Sequence, residues 1–276
     1  MRLFLVPIST SRALIYARPL RKDLAKELSY LDRLTSKAAE TWAKWEEADK
    51  GWKKHLVKWG NSVQQRIPYE EWALKSIPSF KTQQKINPDH GKVKIDVLFP
   101  GNAVKLERIP QVLRTIATER QEFHRKRLMW CLVGAPITAP LGLIPVVPNI
   151  PFFYLAYRGW SHWRALNGSK HLQHLVENDL LSPISLPELE QLYAKRASNT
   201  LEDTFADTPY SEVAENIEQS REDRLLLKMS DAKKLAAMLE APELALEAER
   251  AIIQVSEQIA AAAKTKQTEK QDEKKD

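Results

Sequence analysis

Apolar and polar residues are distributed unevenly along this chain, and the strongest feature is an uncharged stretch from Leu128 to Tyr157. Its thirty residues include no Asp, Glu, Lys, Arg or His. As one helix the stretch would measure about 45 Å, more than the roughly 30 Å of bilayer hydrocarbon. Prolines would break such a helix, because each removes a backbone donor and crowds the preceding turn. They are Pro136, Pro140, Pro145, Pro148 and Pro151.

This pattern predicts a proline-broken membrane hairpin, whose two short helical arms fold back at about Ile144 to Pro151 and include Asn149 in the turn. Lys and Arg beside a membrane segment favour the side that is not translocated, so both ends are expected on the same side. Two alternatives stay open: a single tilted span, and a proline-rich core segment of a soluble domain. The flanking basic residues are Arg125, Lys126, Arg127, Arg158 and Arg164.

A second pattern precedes the stretch, since apolar residues recur every seven positions between residues 23 and 66. This heptad spacing predicts a long helix with one packing seam and a coiled-coil or helical-hairpin partner. The partner is either another helix of this chain or a separate protein, and a helix lying in the membrane plane is a third option. The tryptophans of the seam are Trp42, Trp45, Trp52 and Trp59.

The N-terminus allows two interpretations. Residues 1–22 are basic, rich in hydroxyl groups and free of acidic residues, which resembles a mitochondrial targeting segment. Leu3 to Ile8 is also a dense apolar run that favours a strand, with Lys92 to Pro100 as its expected partner. If the two segments pair, they form a small two-stranded β element.

The other predicted elements are helical. A short helix is expected over Tyr69 to Lys75, and another from Pro110 to Arg127, because proline is tolerated in a first helical turn. Gly168 is expected to end the helix that follows the uncharged stretch, with a further helix over residues 169–178. Ser185 and Glu188 have the spacing of a capping box that opens a helix over residues 187–196.

Beyond residue 196 the composition changes. An acidic linker is expected over residues 197–229, two helices separated by Pro242 over 230–263, and a disordered tail over 264–276. The fold class is therefore mainly α, with a heptad helix and further helices around a membrane hairpin. The expected regions are 1–22, 23–127, 128–166, 167–196, 197–229, 230–263 and 264–276.

The residue groupings that catalysis needs are scarce. There is no glycine-rich phosphate loop and no nucleophile elbow, so we expect neither an enzyme nor a bound cofactor. The net charge of +6 comes without a nucleic-acid-binding motif. His171 and His174 are too few for a metal site, which needs three or four ligands. The adjacent carboxylates Glu70 and Glu71 should diverge around a helix.

Ion transport is also constrained by the sequence. Carriers of protons or cations generally hold ionisable residues within the membrane, and the uncharged stretch has none. A role in ion transport would therefore require oligomers or a separate carrier subunit.

The segments MRLFLVPISTSRALIY, KVKIDVLFP and PLGLIPVVPNIPFFYLAYRGWSHWRAL resemble the fungal mitochondrial K+/H+ exchange-related proteins. The resemblance covers roughly residues 1–195, and the sequence beyond looks like a variable extension. It implies a mitochondrial inner-membrane protein associated with potassium–proton exchange and control of matrix volume.

We therefore expect a component or regulator of potassium–proton exchange in the mitochondrial inner membrane, with both termini in the matrix. Its expected partners are membrane lipids and either further copies of itself or other subunits of the exchange machinery. The alternative is a membrane-anchored coiled-coil scaffold that takes no part in ion flux.

Overall fold

The computed structural model divides the chain into two compact units, Met1–Arg18 with Tyr69–Asp276, and Pro19–Pro68. The predicted heptad helix, with Trp42, Trp45, Trp52 and Trp59, lies outside the described residues, as do Pro145 and Pro148. The described residues are 1–18, 66–86, 89, 91–140, 149–200 and 223–272.

A four-stranded mixed sheet lies in the first unit, in the order β2-β1-β3-β4. β1 runs antiparallel to β2 and parallel to β3, and β3 is parallel to β4. β1 is buried at its last five positions, as expected for an apolar run covered on both faces. The strands are β1 (Arg2–Pro7), β2 (Ala13–Arg18), β3 (Ile95–Phe99) and β4 (Leu181–Ser185).

The predicted pairing of the N-terminal apolar run with the segment 92–100 is confirmed. Leu3 lies opposite Val97 and Phe4 opposite Leu98. The predicted two-stranded element is thus part of a larger sheet. The sequence pattern misses β4 because Pro183 interrupts it, although an edge strand can accommodate a proline.

Helices surround the sheet, and the sequence predicts several of them. The predicted short helix is α1, and Pro110 lies in the first turn of α3 as expected. The described helices are α1 (Tyr69–Ser76), α2 (Phe80–Ile86), α3 (Ile109–Thr118), α4 (Gln121–Thr138), α5 (Ile150–Glu177), α6 (Pro187–Thr200), α7 (Met229–Met238) and α8 (Pro242–Asp272).

Two helix predictions are wrong. A turn at Glu119 and Arg120 separates α3 from α4, where one continuous helix is predicted, and Arg120 leaves the helix to pair with Glu70 of α1 at 2.9 Å. α5 continues through Gly168, the predicted helix end. A Cβ there would overlap the carbonyl oxygen of Leu74, so this glycine permits α1 to approach α5 rather than ending a helix.

The C-terminal helices belong to the same hydrophobic core as the sheet. The two helices predicted on either side of Pro242 are present as α7 and α8, and Leu235, Leu244 and Ala251 are fully buried. Leu225 also forms an isolated β-bridge with Ser9. The described residues from Leu225 to Ile259 of the expected variable extension therefore contribute to the core of the folded unit.

Two further C-terminal details differ from expectation. Ser185 ends β4, and its hydroxyl donates to Glu190 instead of forming a capping box with Glu188. Helix α8 continues to Asp272, into the tail for which the composition predicts disorder.

α4 and α5 form an antiparallel helical hairpin. His124 lies beside His162 at one end, and Asn149 bonds the carbonyl oxygens of Thr138 and Ala139 at the other. Among the described residues, no helix combines the length and the apolar character that a membrane crossing requires. The end with His124 and His162 joins the rest of the folded unit, and we call it the base of the hairpin.

Candidate functional site: a buried polar cluster at the base of the hairpin

Polar side chains from α1, α4 and α5 meet in the interior at the base of the α4–α5 hairpin. Glu71 and Ser161 are fully buried, and His124 and His162 are only 1% and 2% exposed. We call this group the polar cluster. Its members are Glu71 and Lys75 of α1, His124 of α4, and Arg158, Ser161 and His162 of α5.

Helical spacing explains how α5 supplies three members. Arg158, Ser161 and His162 are three and four residues apart, so their side chains share one face of the helix. On α1, Glu71 and Lys75 are also four residues apart. The face of α1 that carries them packs on α5, while the adjacent Glu70 points to Arg120, as the sequence predicts for neighbouring carboxylates.

The centre of the cluster is an ion pair between Glu71 and Arg158. Nη1 and Nη2 of Arg158 donate to Oε1 and Oε2 of Glu71 at 2.7 and 3.0 Å. This two-pronged geometry is the strongest form of an arginine–carboxylate hydrogen bond. It neutralises a charge that would otherwise be costly to bury.

Ser161 and Lys75 complete the environment of the carboxylate. The Ser161 hydroxyl donates to Oε1 of Glu71 at 2.5 Å and accepts from Nζ of Lys75 at 3.0 Å. Burial raises the pKa of Glu71, but hydrogen bonds from Arg158 and Ser161 outweigh it and hold this pKa below its ordinary value of 4.5. Glu71 is therefore ionised at neutral pH.

The arginine also fixes the protons of the two histidines. Because a guanidinium can only donate, Nε2 of His162 accepts from Arg158, at 3.1 Å, and the imidazole proton lies on Nδ1. That Nδ1–H donates to Nδ1 of His124, 3.0 Å away. His124 must then carry its own proton on Nε2, a buried atom without a hydrogen-bond partner in the described part of the chain.

Both histidines are neutral at physiological pH. Burial lowers the pKa of His124 and of His162 to about 4, although the carboxylate of Glu71 opposes this shift. Arg158 adds to the lowering at both rings. One hydrogen-bonded proton therefore lies between the two imidazoles, beside a permanent ion pair.

Glu71, His124 and His162 could offer three metal-ligand atoms within 4.8 Å of one another. Two histidines and a glutamate form a familiar zinc ligand set. Here the atoms are already engaged, because Nδ1 of His162 carries a proton and Arg158 occupies both carboxylate oxygens. The charges of Arg158 and Lys75 would also repel a metal cation, so the arrangement suits a closed hydrogen-bond network better than a metal centre.

The stability of the protein should fall between pH 6.5 and about 4. The unfolded chain binds protons at His124 and His162 below 6.5, whereas the folded chain excludes them until about 4. The contribution is complete above 6.5 and is lost as the pH drops, by up to about 3 kcal/mol for each ring. Urea unfolding across this range measures it.

The matched comparison for this prediction is a His124→Phe/His162→Phe variant against His174→Gln. The double variant should lose much of the slope of the unfolding free energy against pH. His174 is exposed, so its replacement should keep that slope. An unchanged slope in the double variant would contradict the proton assignment.

The structure brings one of the predicted basic flanking residues into the polar cluster and leaves the others outside it. Arg158 is buried against Glu71, so its assignment as a membrane-flanking residue is corrected. The guanidinium of Arg164 lies over the Trp160 ring, 5.9 Å from its centroid. Arg125, Lys126 and Arg127 are exposed on the first half of α4.

The predicted proline and asparagine positions lie at the far end of the hairpin. Pro136 lies inside α4 and Pro140 just after it, while Asn149 caps α5 and Pro151 occupies its first turn. His171, which the sequence pairs with His174, is buried, and its Nδ1 lies 2.6 Å from the carbonyl oxygen of Pro78.

Comparison with known proteins gives the family. A family model described as mitochondrial K+-H+ exchange-related matches residues 2–176, and this chain belongs to that family. The matched range includes the polar cluster, the hairpin and three of the four strands. The protein is thereby associated with mitochondria and with potassium–proton exchange.

Two fungal proteins described as uncharacterized are similar to this chain. The one from Schizosaccharomyces pombe is 29% identical over 192 residues, covering 70% of this chain and 81% of the relative. The one from Saccharomyces cerevisiae is 28% identical over 202 residues, covering 64% of this chain and 63% of the relative. No solved structure matches the chain.

Proposed function

We propose that this protein is a component or regulator of potassium–proton exchange at the mitochondrial inner membrane. The observation that carries the proposal is the family match over residues 2–176. The hairpin supports a membrane location, because its distal part bears large exposed apolar side chains such as Trp130, Ile137 and Phe153.

The polar cluster suggests a positioning role rather than a transport path. Its ionisable side chains are paired with one another, and Glu71 and Arg158 form a permanent ion pair at neutral pH. A carrier of protons needs groups that gain and lose a proton near the working pH. We therefore assign the cluster to holding the hairpin on the body of the protein, while a partner subunit conducts the ions.

Swelling of isolated mitochondria in potassium acetate tests the proposal, because swelling in this salt requires potassium to enter in exchange for protons. We expect mitochondria without the protein to swell several-fold more slowly, and an added potassium–proton ionophore to restore the rate. Re-expression of the intact chain should also restore it. Unchanged swelling at a normal membrane potential would exclude a role in exchange.

The same assay distinguishes a role in ion exchange from the alternative of a coiled-coil scaffold that takes no part in ion flux. A Trp45→Ala/Trp52→Ala variant alters the predicted heptad seam, while the polar cluster and the hairpin keep their sequences. If this variant loses assembly with partners but supports normal swelling, assembly is separable from exchange. If both are lost together, the seam acts through the exchange machinery.

A further inference from the structure

The distal part of the hairpin is an apolar surface that nothing in the described residues covers. Trp130 and Ile137 of α4 are 73% and 72% exposed, and Phe153 of α5 is 65% exposed. A soluble protein rarely leaves so many large apolar side chains together in water. Further exposed apolar residues on the same two arms are Met129, Leu132, Val133, Tyr154 and Tyr157.

One side chain, Asn149, bonds backbone groups at both helix ends that meet at the far end of the hairpin. Nδ2 of Asn149 donates to the carbonyl oxygens of Thr138 and Ala139, at 2.7 and 3.2 Å. Its Oδ1 accepts from the backbone N–H of Phe152 at 3.1 Å. Asn149 itself is only 9% exposed. Water could serve these groups on an aqueous surface, but in hydrocarbon they must be satisfied within the protein.

The two arms also pack closely through small residues. A Cβ on Gly134 would lie 3.2 Å from a methyl carbon of Leu155, and a Cβ on Gly159 equally close to Cβ of Cys131. Close backbone approach through glycines is characteristic of helices that associate in lipid. The pair can therefore keep its geometry without a surrounding protein core.

The charge along α4 changes abruptly at residue 128. The first two turns carry Arg125, Lys126 and Arg127 against the single acid Glu122, which pairs with Lys126 at 2.8 Å, and no charged residue follows before the helix ends at Thr138. The uncharged part, residues 128–140, rises about 20 Å, against roughly 30 Å for bilayer hydrocarbon. Both arms return to the base, where Arg158 and His124 join the polar cluster.

We propose that residues 128–140 and 149–157 form a membrane wedge that enters one leaflet of an anionic bilayer and returns to the same side. Arg125, Lys126 and Arg127 lie at the headgroups, and at the inserted end Asn149 satisfies the carbonyl oxygens of Thr138 and Ala139 and the backbone N–H of Phe152. This inference rests on the membrane location in the proposed function and is independent of any effect on ion exchange. A wedge of this kind does not by itself form a path across the bilayer.

The test measures binding of the purified full chain to phosphatidylcholine vesicles with and without cardiolipin. We expect binding that is strongest to the cardiolipin vesicles. An Ile137→Glu/Phe153→Glu variant should bind both about 100-fold more weakly, because charges in hydrocarbon are costly. The matched control is Leu246→Glu, since Leu246 is 62% exposed on α8 and outside the wedge; it should bind normally.

A triple Arg125→Gln/Lys126→Gln/Arg127→Gln variant tests the headgroup contacts. Each removed charge should weaken binding to cardiolipin vesicles about 5-fold and leave binding to pure phosphatidylcholine unchanged. Asn149→Ala should fold, because its partners are local to the tip, but should bind both vesicles more weakly. Should the glutamate pair fail to fold, Ile137→Ser/Phe153→Ser serves in its place.

The depth to which the wedge enters the bilayer is measured with a fluorescent label on the Ile137→Cys side chain, in a Cys131→Ala background. We expect quenching by nitroxides in the lipid chains and no bleaching by dithionite enclosed in the vesicle. Bleaching from the lumen would show a crossing hairpin and overturn the proposal, as would absence of binding to either vesicle. Neither result would by itself remove a role in exchange, which the swelling assay decides separately.

Discussion

Replacing Glu71 with alanine should lower the free energy of unfolding by about 3 to 5 kcal/mol, because the variant leaves the charge of Arg158 buried without its partner. The side chain of Arg158 is 13% exposed and that of Glu71 is fully buried. Ser161 would lose its acceptor as well. Urea unfolding at neutral pH, monitored by circular dichroism, measures the loss.

The neighbouring glutamate provides a matched control for Glu71→Ala. Glu70 precedes it on α1 and pairs with Arg120 at 2.9 Å, but the two side chains are 15% and 28% exposed. Glu70→Ala should therefore cost about 1 kcal/mol or less. Equal losses in the two variants would contradict the special role assigned to the polar cluster.

A double variant separates the loss of a favourable pair from the cost of an unpaired charge. Glu71→Met/Arg158→Met removes both charges and keeps similar volume, so it should be more stable than either single variant. If the double loss equals the sum of the single losses, Glu71 and Arg158 do not act as a pair.

Replacing Gly168 with alanine should be about as damaging, at about 3 kcal/mol, although the added group is a single methyl. The new Cβ would overlap the carbonyl oxygen of Leu74 and lie 3.0 Å from that of Ile77. Both are backbone atoms at the C-terminal end of α1, so the helices must separate. Separation would also disturb the polar cluster, because α1 carries Glu71.

Gly159→Ala is the matched control for this substitution, because it lies on the same helix. Its Cβ would meet only the Cβ of Cys131, at 3.2 Å, and alanine is favoured over glycine in a helix by about 1 kcal/mol. The expected net change is close to zero. A Gly168→Ala protein as stable as the parent would show that α1 does not pack against α5 at this point.

Several elements were predictable because their signals are local. The apolar run of β1, the helix start at Pro110 and the helices on either side of Pro242 each depend on neighbours in sequence. The prediction at Gly168 fails for the opposite reason, since a glycine signals a helix end and a close helix contact equally well. Only the position of α1 distinguishes the two.

The polar cluster could not be predicted from the order of its residues. Glu71 and Arg158 are 87 positions apart, and Arg158 follows the uncharged stretch so closely that its sequence context favours a headgroup contact. On α5, the local signal was the spacing of Arg158, Ser161 and His162 on one face of a helix. That spacing does not indicate that Glu71 and His124 lie against these three residues.

The sequence by itself determined the composition of the hairpin: an uncharged, proline-broken segment with basic residues before and after it. It also determined that β1 is apolar enough to be buried, since burial depends chiefly on side-chain type. The tertiary structure alone decided that Arg158 is buried with Glu71 and that the C-terminal helices share one core with the sheet. Those outcomes depend on which helices meet, and a buried charge is stable only where the fold supplies its partner.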